Sequence, residues 1–168
     1  VIVTGAATGI GRGIAQRFAE EGARVVMACR NSTSGERAAR DLCDRGGAAC
    51  YIQADVAKQE SIAALLEQAA EKYGPVDIAV SNAGIAEQQS TALDITPEEW
   101  DRVYGVNVRG SFFFCRACAQ NMMDNGTHGS IITISSIMGR GAKGMTGAYA
   151  SSKSSIIMFT KTLAKCLA

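Results

Sequence analysis

Residues 4–11 read TGAATGIG and follow directly on the β-branched run at residues 1–4. Gly5, Gly9 and Gly11 carry the chain out of a strand and into a helix expected near residues 10–21. Glycine at such a turn permits tight backbone angles and leaves no side chain between the backbone and a ligand. The helix N-terminus that follows gathers unpaired N–H groups and the positive end of the helix dipole, which suits a phosphate or pyrophosphate. The spacing differs from GxGxxG, and a glycine-rich turn by itself is also an ordinary turn. Its place at the head of an alternating chain favours nucleotide binding.

Working outward, short apolar runs near 1–4, 24–29, 49–54, 76–81 and 130–135 read as strands. Helical patterns fill the intervals near 33–45, 59–73 and 97–123, and a last helix opens around Tyr149. The alternation predicts an α/β domain, a Rossmann-type doubly wound parallel sheet with helices on both faces, covering 1–168 as one unit. In the third helix Ile62, Leu65, Leu66, Ala69 and Tyr73 recur at helical spacing before Gly74 and Pro75 stop it. Thr96, Pro97 and Glu99 mark the start of the fourth, as N-cap, first helical residue and the return arm of a capping box.

The 168 residues, 47% hydrophobic and 20% charged, suffice for one core, and a formal net charge of +1 supplies no field to recruit nucleic acid or an anionic membrane. No apolar run reaches transmembrane length and the opening VIVTGAATGIG lacks the features of a secretory leader, so a soluble, cytoplasmic protein is expected. The six cysteines are irregularly spaced and read as free thiols. Cys115 and Cys118 form a CxxC, but no second pair stands at zinc spacing and His128 is the only histidine, so no metal site is expected. The lone histidine also argues against a Ser-His-Asp hydrolase, and Ala150 occupies the position where a Ser-Lys hydrolase would need serine.

Two further stretches carry chemistry. After the second strand, in VVMACRNS, Cys29 and Arg30 stand where a dinucleotide site usually keeps an acid for the adenine ribose. Arg30, with Asn31 beside it, suits a 2′-phosphate, so NADP(H) is favoured over NAD(H). Near the end, AYASSK at 148–153 stacks Tyr149 and Lys153 one helical turn apart, with small residues between them.

Together these motifs resemble the classical short-chain dehydrogenases/reductases, from residue 1 to the end of the chain. Thr4, Gly5, Gly9 and Gly11 are similar to the family's TGxxxGxG turn, with Thr8 and Ile10 inside it. Asp55 and Val56 resemble its Asp-Val pair. SNAG matches NNAG at Asn82, Ala83 and Gly84 and departs from it at Ser81. Asn107 in NVRG, Ser136 after the fifth strand, and Tyr149 with Lys153 in YxxxK complete the order.

The resemblance implies hydride transfer between a nicotinamide and a small-molecule carbonyl or secondary alcohol. Tyr149 is then the general acid or base, since a neighbouring ammonium favours the phenolate over a free phenol's pKa of about 10. Lys153 would also hold the nicotinamide ribose, Ser136 would bond the substrate oxygen, and Asn107 would hold a water of a proton relay. The family is about half as long again, which implies further C-terminal strands missing from this chain. It also implies a homodimer or homotetramer through the fourth and fifth helices, where the segment 111–123 with its FFFC could equally lie against its own sheet. The alternative function is a dinucleotide-binding regulatory or interaction module without catalysis. Residues 85–94 and 137–148, with Met138, Arg140, Lys143 and Met145, are the expected substrate wall.

Overall fold

The computed structural model describes residues 1–88, 91–141 and 146–168. Gln89, Ser90, Lys143 and Met145 of the expected substrate wall lie outside them.

Five parallel strands form one sheet in the order β3-β2-β1-β4-β5. They are β1 (Ile2–Thr4), β2 (Arg24–Cys29), β3 (Ala48–Gln53), β4 (Ile78–Ser81) and β5 (Ser130–Thr133). Ile2 pairs with Val26 on one side and Ala79 on the other, and Ile78 pairs with Ser130. The helices are α1 (Gly9–Glu20), α2 (Ser32–Asp44), α3 (Gln59–Tyr73), α4 (Pro97–Tyr104), α5 (Ser111–Asp124) and α6 (Gly147–Cys166). Strand order reverses between β2 and β4, on either side of β1, and a crevice opens there beyond the carboxyl ends of the strands.

Side chains of a strand alternate between faces, and both faces here are apolar. Ile2, Val26, Ala28 and Ala79 join Ile62 and Leu65 of α3 and Phe114 and Cys118 of α5 in one buried cluster. Val3, Val25, Met27 and Val80 join Ala15 of α1 and Ala38 and Leu42 of α2 in the other. The doubly wound sheet is therefore the expected one.

Four local expectations shift. The helix expected over 97–123 is broken: a π-helical stretch, Gly105–Gly110, separates α4 from α5 and buries Asn107. The fourth strand starts at Ile78 rather than 76, because the Val76 amide donates to Asn121 Oδ1 (3.2 Å) instead of to a ladder. The fifth ends at Thr133 rather than 135, since the chain beyond it turns toward α6: Lys153 takes the Ile134 carbonyl, and Ser135 Oγ donates to the Lys153 carbonyl. Thr96 caps α4 by accepting from the Glu99 amide at 3.2 Å, but the Glu99 carboxylate does not complete the box. It accepts from Arg102 (2.6 and 2.7 Å) and from the Gln88 amide (2.9 Å), and these donors hold its pKa down at about 2.

One face of α5 lies against its own sheet, through Phe114, Cys115, Cys118 and Met122, while Phe112 and Met123 remain exposed. Among the described residues no helix is long and apolar enough to cross a membrane.

Candidate active site

The turn after β1 is built from backbone and fastened by the side chains of Thr4, at the end of β1, and Asn82, just past β4. Thr4 Oγ1 donates to the Val80 carbonyl (3.2 Å) and accepts from the amides of Asn82 (3.0 Å) and Ala83 (3.1 Å). Asn82 Nδ2 returns to the carbonyls of Thr4 (2.9 Å) and Gly5 (3.3 Å). Thr4 and Asn82 thus shape the turn, with the Thr4 hydroxyl and the Asn82 side-chain nitrogen spent inside the protein. Gly5 has φ +64°, and a Cβ there would stand 3.0 Å from Ala83 Cα. At Gly11 a Cβ would meet Asn82 Nδ2 and the Gly5 carbonyl at 2.4 Å, so only glycine lets α1 pass under the turn. Gly9, at φ +54°, faces open space and Ile10 is exposed beside it. The Thr8 side chain caps nothing, which leaves the first amides of α1 open to an anion.

A cleft of about 510 Å³ extends from this turn, lined by Gly5, Thr8, Arg30, Asp55, Val56 and Gly84 among others. Arg30 is exposed just past the end of β2. Asn31 also lines the cleft, while its side chain caps α2 by accepting from the Ser34 amide at 2.8 Å. Asp55 Oδ1 accepts from the Ala57 amide at 3.1 Å, and the Asp55 amide donates to Ser61 Oγ at 2.9 Å, fixing the loop after β3. Ala83 and Gly84 form the wall opposite Arg30's strand.

Beyond Gly84 the chain gathers its buried polar side chains. Asn107 is fully buried, and its Oδ1 accepts from the Ile85 amide at 2.8 Å. Its Nδ2 donates to the Ile85 carbonyl (2.8 Å) and to Ser152 Oγ (2.9 Å), and Ser152 in turn donates to the Tyr149 carbonyl at 2.7 Å. Lys153 is only 4% exposed. Burial pushes its ammonium below the ordinary lysine pKa. Its single hydrogen bond among the described residues goes to the Ile134 carbonyl at 2.9 Å, and Nζ lies 5.7 Å from the centre of the Tyr149 ring. Gly84 separates the two anchors: a Cβ there would stand 3.3 Å from both Asn107 Oδ1 and Lys153 Nζ.

Ser136 heads a 3₁₀ turn, Ile137–Gly139, and accepts from the Met138 amide at 3.2 Å, so its hydroxyl proton stays free to donate. The turn is pressed onto α6: a Cβ at Gly139 would stand 2.9 Å from the Lys153 carbonyl, and Ser154 Oγ donates to the Gly139 carbonyl at 2.7 Å. Met138 is half-buried and Arg140 exposed.

Two residues that the sequence reading passed over belong here. Ser152, one of the small residues between Tyr149 and Lys153, joins Asn107 to Tyr149. Glu87 lies in the loop after β4 and is buried, with Oε2 accepting from the Tyr149 amide at 3.0 Å. Spacing could reveal neither contact, since the partners are 45 and 62 residues apart. Cys115 and Cys118 lie buried under the sheet; burial, opposed by a hydrogen bond with Ser81, pushes the Cys115 thiol up to about 11, and burial with Cys115 beside it pushes Cys118 higher still. Among the described residues no cluster of His, Cys, Asp and Glu could hold a metal ion.

The comparisons with known proteins agree with this geometry. The family model described as short chain dehydrogenase matches residues 1–168. Glucose 1-dehydrogenase 2 of Bacillus subtilis is 37% identical over 97% of this chain and 64% of its own length. The NADP-dependent (R)-specific alcohol dehydrogenase of Lentilactobacillus kefiri is 39% identical over the same shares. Among solved structures, an actinorhodin polyketide ketoreductase with NADPH superposes with a TM-score of 0.94 at 33% identity, over 99% of this chain and 64% of that one. The chain therefore belongs to the short-chain dehydrogenase/reductase family of oxidoreductases, and it spans about two thirds of the length of these relatives.

Proposed function

We propose that this chain carries the cofactor site and catalytic residues of an NADP(H)-dependent oxidoreductase that interconverts a small carbonyl compound and a secondary alcohol. The observation that carries the proposal is the buried Lys153, whose ammonium stands 5.7 Å from the Tyr149 ring and makes one hydrogen bond among the described residues. An ammonium has three donors, so two remain for ribose hydroxyls at the Gly84 end of the cleft.

The residues suit a dinucleotide. The uncapped amides of α1 would hold the pyrophosphate, Asp55 and Val56 the adenine end, and Arg30 with Asn31 a 2′-phosphate. When bound, the cofactor supplies or accepts the hydride. In reduction the Tyr149 hydroxyl gives its proton to the alkoxide that develops on the substrate oxygen, and in oxidation it takes that proton back. Ser136 donates to the same oxygen and fixes it beside the phenol. The Lys153 charge stabilises the phenolate left behind. Because both Asn107 amide protons are committed, a relay water would meet this residue at an acceptor oxygen.

NADPH titration followed by a carbonyl panel tests the reading. Tyr149→Phe is expected to lower kcat by about 10²–10⁴-fold while NADPH affinity stays within about twofold. Retained turnover would remove Tyr149 from the chemistry, and NADPH bound but never consumed would favour a pure binding module. The proposed assembly is a homodimer or homotetramer, read by sedimentation, and the proposed location is cytoplasmic, read by fractionation.

A further inference from the structure

The first turn of α6 has no cap of its own. Thr146 stands at the N-cap position but makes no side-chain cap bond, and the first turn contains no acidic residue. Helix starts leave their first amides unpaired, and a buried start without a partner is costly. The partner here comes from 62 residues away: Glu87 Oε2 accepts from the Tyr149 amide at 3.0 Å. Glu87 is 9% exposed, and its other oxygen, Oε1, has no hydrogen-bond partner among the described residues. A buried carboxylate held by one backbone amide is far more than a helix cap requires, since a serine or aspartate at position 146 would cap locally.

The loop that presents Glu87 is fixed on both sides. Arg102 Nη2 donates to the Ala86 carbonyl at 3.0 Å, and the Gln88 amide donates to Glu99 at 2.9 Å. One residue earlier, Ile85 is gripped at both amide and carbonyl by Asn107. Through Ser152 the same Asn107 reaches the Tyr149 carbonyl. Both backbone polar groups of Tyr149 are therefore tied to residues 85–87, one through Glu87 and one through Asn107 and Ser152.

We infer that Glu87 is a positioning residue for Tyr149: it fixes where the phenol stands by holding the Tyr149 amide, and it couples that position to the loop after β4. The inference rests on Tyr149 being the proton donor. It predicts that the bond, rather than the charge, matters, because an amide oxygen at the same place would accept from the same N–H.

The test compares Glu87→Ala and Glu87→Gln with wild type. Hydrogen exchange at the Tyr149 amide is read by nuclear magnetic resonance, and kcat, KM and NADPH affinity are read well below each variant's Tm. Glu87→Ala is expected to speed exchange of that amide by at least about tenfold and to lower kcat by about tenfold, with NADPH affinity unchanged; Glu87→Gln is expected to restore most of both. Unchanged exchange in Glu87→Ala overturns the inference. So does faster exchange with kcat intact, which would leave Glu87 a helix cap and nothing more. So does Glu87→Gln failing to rescue kcat although exchange is restored. A wild-type protein that consumes no NADPH with any carbonyl overturns the reading of Tyr149 and this inference together, an outcome distinct from an active wild type matched by Glu87→Ala.

Discussion

The glycine turn and the head of α6 are assembled in opposite ways. The turn is a contiguous backbone device: the Gly5 and Ala6 amides tie it to the Ala28 carbonyl, the first amides of α1 stay uncapped, and the side chains of Thr4 and Asn82 hold its shape. The head of α6, with Ser152 in its second turn, draws on Gly84, Glu87 and Asn107, which reach it only after the sheet has formed. The first should fail when space is lost, the second when a polar atom is lost.

Gly11→Val is the most severe way to break that contrast. Its Cβ would fall 2.4 Å from the Gly5 carbonyl, which is backbone and has nowhere to go. Loss of soluble folded protein, or of all dinucleotide binding, is expected, with a cost above about 3 kcal/mol. A Gly11→Val protein with normal Tm would show that the turn is softer than its contacts imply.

Asn107→Leu tests the other side. It leaves the half-buried Ile85 amide and carbonyl without their partner and takes from Ser152 Oγ the donor it accepts from, at a cost of about 2–4 kcal/mol. A clear fall in Tm is expected, with cofactor affinity reduced less than turnover. Equal losses of both would mean that the two regions share one support.

This pair of sites also separates what sequence could reveal from what it could not. The glycine turn was legible because its cause is local: positive φ at Gly5 and Gly9, and contact at Gly11, all fall within eight residues. The order of Asn82, Asn107, Ser136, Tyr149 and Lys153 was legible through family resemblance. Glu87 and Ser152 were not, since no periodicity relates residues that meet across 45 to 62 positions. The π-helical break was hidden for a different reason, because Pro97 and the apolar residues beyond it read as one continuous helix.

Arg30→Ala sharpens the comparison at the exposed rim of the cleft. The ratio of NADPH to NADH affinity is expected to fall by about tenfold, toward the lower end for a charge-assisted contact in solvent. No change in the ratio would remove Arg30 from cofactor choice.

The smallest effect near neutral pH belongs to the buried thiols beneath α5. At pH 8 a thiol reagent should label exposed Cys43 and Cys166 and spare Cys115 and Cys118 until unfolding. Because the Cys115 thiol is raised from 9.0 to about 11, the folded protein holds its proton where the unfolded chain has released it. The contribution is complete below about pH 9 and is lost as pH rises toward about 11. Tm should therefore fall with pH across that window less steeply in a Cys115→Ala, Cys118→Ala variant than in wild type.

The π-helical stretch Gly105–Gly110 bears on any attempt to engineer this protein. A designer seeking heat resistance would be tempted to idealise it, since regular α-helix is the better-bonded form. Removing the extra residue would turn everything beyond it by about 100°. Asn107 would leave the Ile85 carbonyl, or α5 would leave the sheet. The irregularity is where two competing alignments, one of a packed helix and one of an amide, are reconciled, and a more regular molecule would be sturdier only by giving up one of them.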